Sequence, residues 1–373
     1  MDEKIKIIGI TANTSWYLYN FRKNTILAMI DEGFEVFAIA PKDDYSDKLE
    51  ELGCRFIHID IDSGGTNPVN DLATFYNFYK MYKSNSIDVV LNFTPKNNIY
   101  STLAAKLVGI KSINNIAGLG TLFISESPAS KIARVLYKYS QSKADFIFFQ
   151  NEDDRALFKS HQIALNVKSD RLPGSGADLS RFILSPAPED GVSRFLLIAR
   201  MLFDKGIGQY VEAARALKSK YGNSVEFRLL GFLDVDNPSA VSKAQMNAWV
   251  DEGVVNYLGT SDNVEAEIAQ VDCMVLPSYY REGVPKSLLE AGAMGKPIVT
   301  TDNVGCRETV DNGFNGFICE PRSTKSLIDA LDKIITMSHS ERLKFGTNSR
   351  HKIENEFDEK IVIKKYLLAL NSL

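Results

Sequence analysis

Short apolar runs rich in β-branched residues alternate along the chain with longer segments whose apolar positions recur every three or four residues. The runs read as strands and the longer segments as amphipathic helices. In the first half the runs are 6–11, 35–40, 55–61, 87–93, 112–116 and 146–150; in the second they are 194–199, 225–230, 254–258, 271–276, 298–301 and 316–319. They are continuous rather than alternating, which predicts strands covered on both faces, as in parallel sheets. Strand–helix repetition predicts a doubly wound α/β architecture. The pattern restarts near Arg194, so the chain reads as two similar α/β domains in tandem, 1–182 and 193–355. The segment between them, FILSPAPEDGV at 182–192, has the composition of a linker. The apolar-rich end of the chain, KIVIKKYLLALNSL at 360–373, is a helix with no strand after it. With the residues from about 356 onward, it caps its own domain or reaches back to the first.

Length and composition narrow the class. A chain of 373 residues suits two domains. At 45% hydrophobic and 24% charged residues, each half can bury a core, and disordered, collagen-like and disulfide-scaffold classes are excluded. Forty-three Lys+Arg against 47 Asp+Glu leave a net charge of −4, which argues against a dedicated nucleic-acid binder. The average hides a local contrast. Residues 65–150 carry nine cations (Lys80, Lys83, Lys96, Lys106, Lys111, Lys131, Arg134, Lys138, Lys143) and only four acids. Cys54, Cys273, Cys306 and Cys319 lie far apart with no Cys-x-x-Cys, as expected of reduced, buried thiols without a zinc site. The opening MDEKIKIIGIT lacks a signal-peptide pattern, and no apolar run reaches the roughly 18 residues of a membrane span, so a cytoplasmic location is expected. No G-x-G-x-x-G, P-loop or His-Glu-x-x-His is present.

The richest stretch is LPSYYREGVPKSLLEAGAMGKPIVT at 276–300. A buried strand ends at Leu276, and a polar turn leads into a helix from about Pro285. Ligands of open α/β sheets bind outside the carboxyl ends of strands. Gly283 lets a ligand approach the backbone, and amides near Val284, Lys286 and Ser287 make an anion site at the helix start. Glu282 at the loop tip and Glu290 two helical turns on suit recognition of sugar or ribose hydroxyls. The competing reading makes Glu282 a charge complementing the helix dipole and Glu290 a solvated residue. A second stretch, LLIARMLFDKGIG at 196–208, places Arg200 and Lys205 at another strand end. There they either neutralise a diphosphate or sit as ordinary surface cations. Both stretches lie at one edge of one sheet.

Arg200, Lys205-Gly206, Gly231 and Glu282-Gly283 through Glu290, followed by GKPIVTTDNVG and NGFNGFICEP, resemble the donor domain of family 4 retaining glycosyltransferases. In the first half NTSWYLYNFRKNTILAMIDEGFEVFAIAP, NFTPKNNIYSTLAAKL and NNIAGLGTLF resemble bacterial members that extend polyprenyl-diphosphate-linked sugars. The resemblance implies the GT-B fold: two Rossmann-like domains facing a cleft. It implies that Arg200 and Lys205 hold the donor diphosphate of a UDP-sugar. The Glu282–Ser287 turn would bind the donor sugar and phosphate, and Glu290 the ribose hydroxyls. Gly231 and Leu258 would flank the nucleotide. The first-domain loop containing Asn13 and Thr14 would close over the phosphates. Glu282, Lys205 and Arg200 are thus the expected catalytic set, without metal or other cofactor.

One departure concerns the acceptor. Many members carry a histidine near the first-domain cleft, where this chain reads Asn114-Asn115-Ile116-Ala117-Gly118. Lys96, Asn97 and Asn98, after the 87–93 strand, are the expected substitutes. Arg22 and Lys23 are further candidates, or else exposed helix residues. Asp60-Ile-Asp62 and Asp234-Val-Asp236 mimic the D-x-D metal motif of another glycosyltransferase fold but are read as turn residues. A helix over 128–142 places Lys131, Arg134 and Lys138 on one face and Ile132, Val135, Leu136 and Tyr139 as an apolar one. It either lies on an anionic membrane or packs its apolar face into the core. The whole reads as a glycosyltransferase moving a hexose or N-acetylhexosamine from a UDP-sugar to a lipid-linked saccharide, peripheral on the inner membrane face. Transfer to a soluble acceptor, UDP-sugar epimerisation and sugar binding in a two-domain receptor are the alternatives.

Overall fold

A computed structural model of the chain describes residues 5–61, 67–119, 128–233 and 235–373, with 128–130 described by backbone alone. The chain divides into two units, Met1–Ser175 with Lys360–Leu373, and Gly176–Glu359.

The first unit is built on strands β1 (Ile7–Thr11), β2 (Glu35–Ala40), β3 (Arg55–His58), β4 (Val89–Asn92), β5 (Lys111–Ile116), β6 (Phe146–Phe149) and β7 (Lys168–Arg171). They form one sheet in the order β3-β2-β1-β4-β5-β6-β7, every neighbouring pair parallel. Helices α1 (Ser15–Asp31), α2 (Ser46–Glu51), α3 (Pro68–Ser84), α4 (Thr102–Val108), α5 (Pro128–Gln141) and α6 (Glu152–Ser160) provide the crossovers. Six strands match apolar runs in the sequence. The seventh, Lys-Ser-Asp-Arg at one sheet edge, is polar throughout with half-buried or exposed side chains, so it gives no apolar signal.

The second unit contains β8 (Ser193–Ile198), β9 (Val225–Leu230), β10 (Asn256–Tyr257), β11 (Cys273–Leu276), β12 (Ile298–Thr301) and β13 (Gly316–Cys319). Their order is β10-β9-β8-β11-β12-β13, again all parallel. The helices are α7 (Ile207–Tyr221), α8 (Lys243–Asp251), α9 (Val264–Ala269), α10 (Lys286–Ala293), α11 (Thr324–Thr336) and α12 (His339–Glu356). In each sheet the strand order reverses beside the first strand of the unit. That switch point, between β1 and β4 or between β8 and β11, is where open α/β sheets bind ligands.

The 182–192 segment belongs to the second unit. Phe182 is buried in its core, and the Arg350 guanidinium donates to the Phe182 and Ala293 carbonyls at 2.8 and 2.7 Å. Helix α13 (Glu359–Asn371) belongs to the first unit. Val362, Tyr366, Ala369 and Leu370 join Ile8, Ile10 and Phe93 in its core, and Lys365 Nζ lies 2.6 Å from Asp170 on β7. All four cysteines are free and buried, and burial pushes the Cys54, Cys306 and Cys319 thiols up to about 12. No helix among the described residues is long and apolar enough to cross a membrane.

Candidate active site

The exits of β8 and β11 stand side by side because the two strands pair, Cys273 with Phe195 and Met274 with Leu196. After β8 the chain makes a short turn through Phe203–Lys205 and enters α7 at Gly206. Gly206 has φ +80°, and a Cβ there would stand 2.2 Å from the Pro277 carbonyl oxygen. Only glycine lets this turn press against the β11 exit. The Tyr279 and Tyr280 amides then donate to the Asp204 carbonyl at 3.0 and 3.1 Å. The clasp sets Lys205 Nζ against the Glu282 carboxylate and 5.2 Å over the Tyr280 ring. Ser278 Oγ donates to the same Glu282 oxygen at 2.9 Å. The Lys205 and Glu282 side chains are only 12% and 11% exposed. From β12, the Thr301 hydroxyl donates to the Ser278 carbonyl, and Asn303 Nδ2 donates to the Tyr280 carbonyl at 2.6 Å. Arg200 is exposed at the same edge. Burial raises the Tyr280 phenol and the Glu282 charge adds to the rise, while the Arg200 charge opposes it.

Helix α10 starts beside this cluster. Pro285 precedes it with no side-chain cap, so its first-turn amides point to the loop side, a ready anion site. Ser287 and Lys286 are half-buried there, whereas Gly283 and Val284 are buried. Val284 packs into the core, so only its backbone can serve a ligand. Glu290 is not the solvated helix residue that was one expectation: its side chain is 13% exposed, and burial raises its pKa, opposed by Lys286 with Nζ 3.9 Å away. A carboxylate held there is positioned to accept hydroxyl donors. At the β9 and β10 exits, Gly231 has φ +141° and lies where a Cβ would fall 1.9 Å from the Ala199 carbonyl oxygen. It therefore lets the β9 exit close on the turn that carries Arg200. Leu258 and Phe232 are exposed beside it, Phe232 at 47%.

The first-unit candidates fare differently. Asn13 and Thr14 are half-buried, and the Thr14 hydroxyl is engaged as the N-cap of α1, accepting from the Tyr17 amide at 3.0 Å. Lys96 pairs with Asp71 at 2.8 Å. Asn97 and Asn98 do not line an open surface; both are buried at the start of a π-helical turn, Asn97–Ser101. Asn98 Nδ2 donates to the Asn115 carbonyl at 2.8 Å, and Asn97 Oδ1 accepts from Thr94 at 2.6 Å. They flank an interior polar network. Thr11 donates to Asn92 (2.8 Å), Asn92 to Asn114 (2.8 Å) and Asn114 to Gln141 (2.8 Å), while Asn115 accepts from the Tyr366 hydroxyl of α13. The Asn114-Asn115 pair at the departure point is thus structural. Arg22 is not an exposed helix residue: it is 1% exposed, on the inward stripe of α1.

Helix α5 does not pack its whole apolar face into the core, one of its two expected placements. Its inward side is Tyr137, Ser140 and Gln141 with half-buried Leu136, while Ile132, Val135 and Tyr139 are exposed beside Lys131 and Lys138; Arg134 is half-buried. Each Asp-x-Asp pair has one member, Asp62 or Asp234, outside the described residues. Sequence reasoning missed Ser278, Tyr280 and Asn303. Ser278 and Tyr280 lie in the stretch it singled out, but nothing in their spacing separates a residue that holds Glu282 from an ordinary turn residue.

The arrangement gathers two cations, a helix N-terminus and two carboxylates at the switch point of one parallel sheet, as a nucleotide-diphosphate-sugar site requires. Comparison with known proteins agrees. The family described as Glycosyl transferases group 1 matches residues 185–352, and Glycosyl transferase 4-like matches residues 8–151. The chain is 30% identical, over 96% of its length and 97% of the relative's, to the N,N'-diacetylbacillosaminyl-diphospho-undecaprenol alpha-1,3-N-acetylgalactosaminyltransferase of Campylobacter jejuni. It is 25% identical, over 78% of its length and 76% of the relative's, to the UDP-Gal:alpha-D-GlcNAc-diphosphoundecaprenol alpha-1,3-galactosyltransferase of Escherichia coli. A glycosyltransferase structure from Rickettsia africae superposes with a TM-score of 0.78 over 99% of this chain and 98% of that one, at 18% identity. The chain belongs to the family 4 glycosyltransferases and has the GT-B fold. Membership removes the two-domain sugar receptor from the alternatives.

Proposed function

We propose that the protein transfers a hexose or N-acetylhexosamine from a UDP-sugar to a saccharide carried on a polyprenyl diphosphate, with retention at the anomeric carbon. The observation that carries this reading is the Lys205–Glu282 pair at the start of α10, with Arg200 at the same sheet edge. Both named relatives act on diphospho-undecaprenol saccharides and form alpha linkages, and one uses UDP-Gal. When the bond from the anomeric carbon to the diphosphate breaks, negative charge collects on the diphosphate and positive charge on the sugar ring. Lys205, Arg200 and the α10 amides stabilise the first. The departing diphosphate oxygen takes the proton of the attacking acceptor hydroxyl, and the new bond forms on the face the diphosphate leaves. No protein nucleophile is required. Fixed cations carry out what a metal does in other transferases, so we expect activity to survive a chelator.

The acceptor's lipid calls for contact with a membrane surface, and the first unit has a face suited to it. Helices α3, α4 and α5 pack side by side. Their exposed side chains include Val69, Leu72 and Tyr76 on α3, Leu107 on α4, and Ile132, Val135 and Tyr139 on α5. Exposed Lys80, Lys83, Lys106, Lys131 and Lys138 stand on the same helices. Apolar side chains among cations are the composition of an interfacial surface, each cation contributing about 1 kcal/mol near anionic lipid.

The test is to incubate the protein with a panel of UDP-sugars and a prenyl-diphosphate-linked saccharide, and to read the product's anomeric configuration. Transfer with retention is expected. Epimerised UDP-sugar without transfer, or transfer only to soluble saccharides, refutes the reading. Charge reversal at Lys131 and Lys138 should abolish binding to phosphatidylglycerol vesicles; unchanged binding sinks the membrane face.

A further inference from the structure

Arg22 is the most anomalous side chain in the first unit. It occupies the inward stripe of α1 with Ser15, Leu18, Ile26 and Met29, where an apolar residue would pack. Its guanidinium lies 4.3 Å over the Phe93 ring, and Nη2 donates to the Tyr17 hydroxyl at 3.2 Å. Nε and Nη1 are buried with no hydrogen-bond partner, and among the described residues no carboxylate pairs with the charge. Stacking on an aromatic face offsets part of the lost hydration. It supplies no acceptor for the Nε and Nη1 N–H groups. At least three of the five N–H groups are therefore unsatisfied, and buried polar groups without partners are rare enough to need a reason.

The direction of the side chain supplies one. Helical side chains lean toward the helix N-terminus. Arg22 accordingly reaches back to Tyr17 and to Phe93, the first residue past β4. Helix α1 itself follows the exit of β1. The guanidinium thus lies at the carboxyl ends of β1 and β4, the switch point of the first sheet. Asn97 Nδ2 and Asn98 Oδ1, just past β4, are also buried without partners. The Arg22 guanidinium is a cation with a forked donor edge at strand exits where a ligand is expected.

We infer that Arg22 is an anion receptor for the acceptor, its Nε–H and Nη1–H taking two oxygens of the diphosphate that carries the saccharide. This assignment rests on the lipid-linked-acceptor reading above. A planar fork matched to phosphoryl oxygens explains why arginine, and not an apolar residue, occupies the position. Half-buried Tyr17 links the guanidinium to the surface of α1, its ring stacked 4.9 Å from Phe21. A resting state with an unpaired buried cation is then a site held ready for charge.

The experiment uses the full chain as wild type, Arg22→Met and Arg22→Lys, saturated with UDP so that the donor site is filled. Farnesyl diphosphate is the probe, read by thermal stabilisation, and acceptor and donor KM are measured separately. Arg22→Met is expected to melt at or above the wild-type temperature, because it removes an unpaired buried charge. It should lose stabilisation by farnesyl diphosphate and raise acceptor KM at least tenfold, with donor KM within twofold. Arg22→Lys, which keeps charge but not the fork, should fall between. Unchanged acceptor KM and unchanged stabilisation in either variant overturn the assignment, and Arg22→Lys carries the comparison if Arg22→Met does not fold. Wild-type transfer to a lipid-linked saccharide that both variants match refutes Arg22 alone. A wild type that farnesyl diphosphate does not stabilise, and that transfers only to soluble saccharides, refutes the acceptor reading itself.

Discussion

Replacing Lys205 with alanine separates catalysis from stability, because the lysine has two roles under the proposed function. Its ammonium would serve the donor diphosphate with Arg200, and it neutralises Glu282 in a pair whose side chains are about one-tenth exposed. Loss of one preorganised electrostatic donor lowers turnover by about 10²–10³-fold, or roughly 3–4 kcal/mol of transition-state stabilisation. Loss of Lys205 also takes the ammonium away from the Glu282 carboxylate, which keeps the Ser278 hydroxyl. For a pair this enclosed the stability cost reaches about 3 kcal/mol, the lower end of the buried range because some solvent remains. In a unit of this size that lowers the melting temperature by roughly 6–12 °C. Adding Glu282→Gln to Lys205→Ala removes the carboxylate charge that Lys205 neutralises. The double variant should regain most of the melting temperature and none of the turnover. Steady-state transfer assays and thermal melts on the three proteins check this. Turnover of Lys205→Ala within threefold of wild type refutes a role in the site. Recovery of turnover in the double variant would mean the lysine acts only by restraining Glu282.

Three further outcomes follow from the same geometry. Glu290→Gln should raise donor KM roughly 10- to 100-fold through weakened charge-assisted hydrogen bonds. Burial raises the Glu290 pKa, so folding favours its protonated form and the wild type loses stability as pH rises above the ordinary glutamate value. The variant's melting-temperature advantage should therefore grow from pH 4 to pH 7; a flat difference contradicts this. Gly206→Ala forces a Cβ to 2.2 Å from the Pro277 carbonyl oxygen at φ +80°. It should cost more than the roughly 1–3 kcal/mol of the backbone strain alone and weaken UDP binding, read by melts and calorimetry. Lys296 is fully buried with Nζ 3.1 Å from the Ala269 carbonyl, and burial lowers its pKa to about 8 despite the opposing charge of Asp272. The unfolded chain holds that proton to higher pH, so stability should climb between pH 8 and 10. Lys296→Met should flatten the climb in chemical denaturation.

Much of the fold was legible in the chain, and for a definite reason. A strand covered on both faces must be apolar throughout, so all but one of the thirteen strands among the described residues announce themselves. The exception, β7, is a polar edge strand. The donor stretches were legible because glycine and proline at strand exits are local devices: Gly206 and Pro285 act through their own backbone geometry. Side-chain burial was not legible. Arg22, Asn97 and Asn98 look like surface residues by type, and Ile132, Val135 and Tyr139 look like core.

By itself, the sequence determined two parallel-sheet units, a set of strand exits rich in cations and carboxylates, and membership of a glycosyltransferase family. These follow from periodicity and local backbone chemistry, which are properties of short segments. Tertiary structure decided that Lys205 is clasped to Glu282 by Ser278 and Tyr280. It also decided that α13 returns to the first unit and that Arg22 lies buried at the β1–β4 switch point, without a counter-charge among the described residues. Those are contacts between residues tens to hundreds of positions apart. Their energies depend on which groups lose water together, and only the folded chain settles that.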